Sequence, residues 1–134
     1  MEDSIKMEVT QLNGLALAYI GDAIYEVYIR KYVMSCGITK VNMMHKHVVE
    51  FTSGNAQAAI IHYYLENKIL TDEELSYFKR GRNSHIKSNR KNIDLKDYLD
   101  ATGFEALIGY LYLTNKISRL EELINLAIEF RKGE

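Results

Sequence analysis

The sequence predicts an all-α chain, a compact multi-helix bundle, and three observations carry that expectation. There is no proline anywhere in the 134 residues, so nothing interrupts a helix by chemistry alone. Apolar residues recur at helical spacing in several long segments. No stretch sustains the alternation of a strand, and no hairpin dipeptide separates two such stretches. The length suits one domain spanning residues 1–134, and 47% apolar residues are enough to fill a core.

The elements follow in order. A first helix is expected from about Asn13 to Met34, ending at Cys36-Gly37, where glycine can adopt a left-handed stop. A short polar helix from about Val41 to Phe51 carries His45, Lys46 and His47. Thr52-Ser53-Gly54-Asn55 breaks the pattern, and a third helix runs from about Ala56 to Asn67 with Ala59, Ile60, Tyr63 and Tyr64 as its apolar stripe. Thr71 followed by Glu74 is a capping box that opens a helix to about Arg80. A Gly-, Asn- and Ser-rich basic segment reads as a loop. Asp94 with Asp97 then caps a long helix from about Leu95 to Thr114, and an amphipathic helix from about Ser118 to Arg131 follows.

Composition narrows the function classes. The one cysteine, Cys36, excludes an intrachain disulfide and fits a reducing cytoplasm. It precedes a helix-ending glycine, a place for packing or surface exposure rather than for a nucleophile. The mixed, acidic start MEDSIKMEVT has no apolar signal core, and no apolar run reaches the ~18 residues of a membrane span. A cytoplasmic protein without membrane association is expected. The near-zero net charge of −1 hides an asymmetry, because KRGRNSHIKSNRK, residues 79 to 91, holds six Lys or Arg and no acid. Eleven basic residues then face eighteen acidic ones in the rest of the chain. A segment so charged can serve a polyanion although the whole chain looks neutral.

The two most apolar helices share a flaw. LALAYIGDAIYEVYI, residues 15 to 29, is interrupted by Gly21 and Asp22; TGFEALIGYLYL, residues 102 to 113, by Gly103 and Glu105. An interior glycine costs ~1 kcal/mol relative to alanine, and a carboxylate buried among aliphatics costs several kcal/mol more. If the helices pack together, the glycines permit close approach and the carboxylates converge. Two carboxylates at short range repel unless a proton or cation lies between them. Hard oxygen ligands in a pocket suit Mg²⁺, with Mn²⁺ able to substitute. An acid in a core helix can also be a hydrogen-bonded structural residue, and Glu105 can pair with a lysine or arginine. Glu26, one turn after Asp22, is a weaker candidate ligand, because its position four before Arg30 favours an ordinary surface ion pair. Ala18 and Thr102, the neighbours of the two acids on their own faces, offer nothing and only a hydroxyl respectively, so protein ligation should be sparse.

At these residues a family resemblance emerges. LAYIGDAIYE resembles the signature helix of the ribonuclease III catalytic domain, and GFEALIGYLYL its second acidic motif. LNGLALAYIGDAIYE, the KRGRN segment and TGFEALIGYLYL together are similar to the small bacterial branch, Mini-ribonuclease III, which consists of this domain alone. The resemblance covers essentially the whole chain. It implies the ribonuclease III endonuclease-domain fold, with Asp22 and Glu105 as catalytic Mg²⁺ ligands. Ala18, Leu15 and Thr102 stand where ribonuclease III carries acids, vacancies that the small branch shares. Because the chain stops at Glu134, the separate double-stranded-RNA-binding domain is expected to be missing, so that this domain grips RNA itself.

The implied reaction is Mg²⁺-dependent hydrolysis of phosphodiesters in double-stranded RNA, giving 5′-phosphate and 3′-hydroxyl ends. The resemblance further implies a homodimer whose two sites cut one strand each, leaving a short 3′ overhang, and a precursor 23S ribosomal RNA stem as substrate. Lys79, Arg80, Arg82, Lys87, Arg90 and Lys91 are expected to contact phosphates, with Asn83, Ser84 and Ser88 reaching phosphates or 2′-hydroxyls. A lysine-rich loop is also commonly just solvated. Tyr19, Tyr25, Tyr28, Tyr110 and Tyr112 are read as packing or dimer surface, since an A-form duplex hides its base faces. A different reading keeps the fold without the activity: a catalytically weak or inactive RNA-binding or ribosome-assembly module, favoured by the missing acids and disfavoured by retention of Asp22 and Glu105.

Overall fold

A computed structural model describes residues 8–84 and 94–133. Among these residues there are six α-helices and no strand: α1 Gly14–Ser35, α2 Val41–Thr52, α3 Gly54–Glu66, α4 Asp72–Arg82, α5 Leu95–Leu113 and α6 Ile117–Lys132. A single 3-10 turn, Val9–Gln11, precedes them. The all-α expectation holds, with boundaries displaced by one or two residues in most cases.

Local chemistry accounts for most of the ends. The Asn13 side chain caps α1 by accepting from the Ala16 N–H at 2.8 Å, and Ser53 caps α3 in the same way through Ala56. The Thr71 capping box is complete, with Glu74 returning to the Thr71 N–H at 2.9 Å. Gly37 has φ +84, the left-handed stop expected after α1. Two expectations need correction. Asp94 occupies the cap position of α5 but its side chain makes no capping bond. Arg82, expected in the loop that follows, belongs with Lys79 and Arg80 to the last turns of α4, where their charge complements the helix C-terminus.

Helix α5 is the centre of the bundle. It packs most extensively on α1, then on α4 and α3. The core between them is aromatic and aliphatic: Tyr25 meets Phe104 edge-on at 4.9 Å, and Leu17, Ile29, Ile60, Ile61, Leu107 and Leu111 are fully buried. The two most enclosed tyrosine hydroxyls are satisfied by backbone, Tyr25 donating to the Phe51 carbonyl at 2.9 Å and Tyr64 to that of Leu123. Burial raises both phenols above their ordinary pKa, so they remain neutral donors.

The crossing of α1 and α5 is closer than side chains would allow. A Cβ on Gly21 would overlap the Glu105 carbonyl oxygen, and one on Gly109 would overlap that of Leu17. These two glycines therefore bring the helices into backbone contact at two points. The expected partner of Gly21 was Gly103. That residue instead turns to α4, where an added Cβ would lie 2.6 Å from the Phe78 ring. Helical periodicity identifies a glycine's face but not the helix lying on it.

Candidate active site

The crossing has a direct consequence for the acids. Gly21 precedes Asp22 on α1, and the backbone it touches is that of Glu105, so the two carboxylates are held beside one another. Both line one small cleft of about 100 Å³, together with Thr52, Gly54, Gln57, Tyr98, Ala101 and Thr102. The predicted convergence is present in the structure. The predicted burial is not: Asp22 is exposed and Glu105 partly exposed, at the rim of the bundle. Water at the rim removes much of the desolvation cost that a core position would impose.

Asp22, Glu105, Thr52 and Thr102 each bring acceptor oxygens to the cleft, beside the carboxamide of Gln57, the hydroxyl of Tyr98 and the methyl of Ala101. Asp22 makes no side-chain hydrogen bond or ion pair with the other described residues. Thr102 donates its hydroxyl to the Tyr98 carbonyl at 3.0 Å, and Thr52 donates to that of Val48 at 3.1 Å. With their protons committed to their own helices, both threonines can offer only lone pairs to the cleft. Two carboxylates and two such hydroxyls make an all-oxygen donor set, which fits a hard divalent cation better than a softer metal. The start of α3 also faces this cleft through Gly54, the end of a helix whose unpaired N–H groups favour anions.

Glu26 lies away from this chemistry, ion-paired with Arg30 at 2.7 Å. Among the cationic candidates Lys79 is exposed. Arg82 lies 5.4 Å from the Phe78 ring centroid, and its Nε is 3.2 Å from Asn83 Oδ1. Arg80 departs from expectation. Its guanidinium donates to the carbonyls of Thr10 at 2.7 Å and Leu12 at 3.0 Å, and it stacks over Tyr77. That arginine ties the N-terminal turn to α4. Lys87, Arg90, Lys91 and Ser88 lie outside the described residues.

Sequence reading missed two features. Gln57 and Thr52 line the acidic cleft, although neither stands near Asp22 or Glu105 in the chain; the break Thr52-Ser53-Gly54 was the only hint. A second titratable group also escaped notice. His62 Nε2 lies 2.7 Å and Lys96 Nζ 3.0 Å from the same oxygen of the buried Asp100, with Asp97 nearby. Lys96 and His62 already answer that carboxylate, and they line a separate cleft with Arg82 and Asn83.

An all-helical bundle that gathers paired acids in a cleft, in a chain with one concentrated run of cations, has the character of a phosphodiester-cleaving nuclease. Residues 15–116 match the Ribonuclease III domain, and the chain belongs to the ribonuclease III family. It is similar to Mini-ribonuclease 3 of Enterococcus faecalis, 52% identical over 119 residues, covering 89% of this chain and 90% of that protein. It is 49% identical to Mini-ribonuclease 3 of Acholeplasma laidlawii over 121 residues, covering 90% of this chain and 95% of that one. A protein of Fusobacterium nucleatum solved by X-ray crystallography superimposes with a TM-score of 0.82 at 31% identity, covering 92% of this chain and 98% of that one. The activity these relationships support is that of an endoribonuclease.

Proposed function

We propose that residues 1–134 form a single catalytic domain that cleaves double-stranded RNA with the help of Mg²⁺ or Mn²⁺. The observation that carries this reading is the shared cleft of Asp22 and Glu105, lined by acceptor oxygens. These two carboxylates hold the cation, and Thr52 and Thr102 add neutral oxygens beside them. A divalent cation there supplies Lewis-acid activation of water and neutralises charge on the leaving oxygen. The chain's own part is to fix the acids rigidly, through the α1–α5 contact, and to draw the duplex to them. Lys79 and Arg82, with Lys87, Arg90 and Lys91 further along the same segment, neutralise backbone phosphates, and Asn83 reaches a phosphate or 2′-hydroxyl. The N–H groups at the start of α3 favour a phosphate next to the cleft.

The family resemblance extends the proposal to 5′-phosphate products and to a precursor 23S ribosomal RNA stem, in the cytoplasm. A homodimer is supported by an apolar strip on α1: Leu15, Tyr19 and Val27 are 44%, 84% and 54% exposed at helical spacing, with Tyr112 of α5 also exposed. No helix among the described residues is long and apolar enough to cross a membrane.

The test is incubation of a duplex RNA with Mg²⁺ and the wild-type protein, beside Asp22→Asn and Glu105→Gln. Cleavage is expected from wild type alone, with losses of about a hundredfold or more in each variant. Duplex binding without cleavage by all three proteins would favour the inactive RNA-binding module that the sparse ligation also allows.

A further inference from the structure

The acidic cleft contains one polar side chain whose chemistry the preceding reading leaves unused. Gln57, in the first turns of α3, is only 2% exposed. Its backbone N–H is spent on the Ser53 carbonyl at 2.9 Å, as any helix start requires. Its carboxamide makes no hydrogen bond with the other described residues, although five polar side chains on neighbouring helices line the same cleft: Asp22, Thr52, Tyr98, Thr102 and Glu105. No completely enclosed side-chain nitrogen or oxygen among the described residues lacks a partner. The unpartnered carboxamide atoms of Gln57 therefore keep part of the little surface that this cleft-lining residue retains.

An amide in such a place has a cost. Leaving a buried donor or acceptor without a partner costs ~1–3 kcal/mol, and an isosteric apolar side chain would avoid it. The offset has to come from something that enters the cleft. About 100 Å³ accommodates a few waters or a hydrated cation, and little more. Surrounding oxygens are acceptors, so a water bridging Gln57 to a cation would find every hydrogen-bonding and coordinating direction satisfied.

Resting on the cation reading above, we propose that Gln57 is a positioning residue of the acidic cleft: its carboxamide hydrogen-bonds a water shared with the cation held by Asp22 and Glu105. It supplies from α3 what Ala18 and Thr102 do not supply from α1 and α5. With Gln57, α3 joins α1, α2 and α5 in defining the cation's surroundings. The amide is neutral, so it adds order without adding the repulsion of a third carboxylate.

The experiment is calorimetric titration of Mn²⁺ alone into the full chain without RNA, beside melting of the metal-free protein. Gln57→Met removes the amide at nearly constant volume. It is expected to weaken Mn²⁺ binding about tenfold while leaving the metal-free melting temperature unchanged or higher. Gln57→Glu is expected to tighten Mn²⁺ binding about tenfold and to lower the metal-free melting temperature, with Mn²⁺ restoring it. Unchanged Mn²⁺ affinity in both variants, while Asp22→Asn abolishes binding, would reduce Gln57 to a core residue and leave the cation site standing. Equal Mn²⁺ binding by wild type and Asp22→Asn would overturn the cation site and the role of Gln57 together.

Discussion

Gly21 on α1 lies directly against the Glu105 carbonyl on α5, so the residue preceding one acid touches the backbone of the other. The helix crossing and the candidate site are in this sense one structure. Alanine at position 21 is favoured by helix propensity by ~1 kcal/mol, but its methyl would overlap that carbonyl. Gly21→Ala is expected to destabilise the fold by about 3 kcal/mol, the upper end of overpacking costs, and to separate the carboxylates. Gly109→Ala should behave alike, since its Cβ would meet the Leu17 carbonyl. Urea unfolding measures the first effect and duplex cleavage the second; an unchanged midpoint would mean that the helices part without cost.

The cationic candidates should divide into two kinds. Replacing Lys79, Arg82 and Lys87 together by glutamine is expected to weaken duplex affinity and to reduce the slope of log affinity against log salt by about 2 to 3. Arg80→Gln should instead lower stability by about 1–2 kcal/mol, because Thr10 and Leu12 lose a charged donor. Filter binding across a salt series, beside thermal melting, separates the two. A salt slope unchanged in the triple variant would remove those residues from the interface.

Acid stability should depend on Glu74. Burial pushes its carboxyl up, but paired bonds from Arg119 at 2.8 and 2.9 Å, with the Thr71 backbone and side chain, outweigh it and hold the pKa below the usual 4.5. A depressed carboxylate contributes fully above its unfolded pKa and loses that contribution as pH falls through the folded value. Glu74→Gln is therefore expected to cost about 2–3 kcal/mol near neutral pH and progressively less below about pH 4. Denaturant titrations at the two pH values check both the size and the direction.

Association should depend on Tyr19. Its ring is 84% exposed in the single chain, a large apolar area left in water. Tyr19→Asp is expected to shift a dimer to monomer in sedimentation velocity with little change in the monomer's own packing. A wild-type protein that sediments as a monomer at all concentrations would remove the dimer.

Much of this arrangement is legible along the chain. The capping box at Thr71, the left-handed Gly37 and the six helical segments follow from interactions within a few residues, and those survive in any context. The two acids were legible for a related reason: a carboxylate beside a glycine in an apolar helix conflicts with local preference. Other features left no local mark. Asn115 and Lys68 turn the chain with positive φ although neither is glycine. Arg80 looks like its neighbours in a basic run, yet its partners lie about seventy residues away in the chain.

The sequence by itself determined which segments are helical, how most of them start and stop, and which two acids stand out, because these depend on short-range chemistry. Tertiary structure decided that Gly109, not Gly103, answers Gly21, that Asp22 stands at the rim, and that Gln57 joins the cleft from α3. The physical reason is that a helical repeat defines a face without naming what packs on it. Only the three-dimensional crossing of α1, α3 and α5 brings residues 22, 57 and 105 to one place.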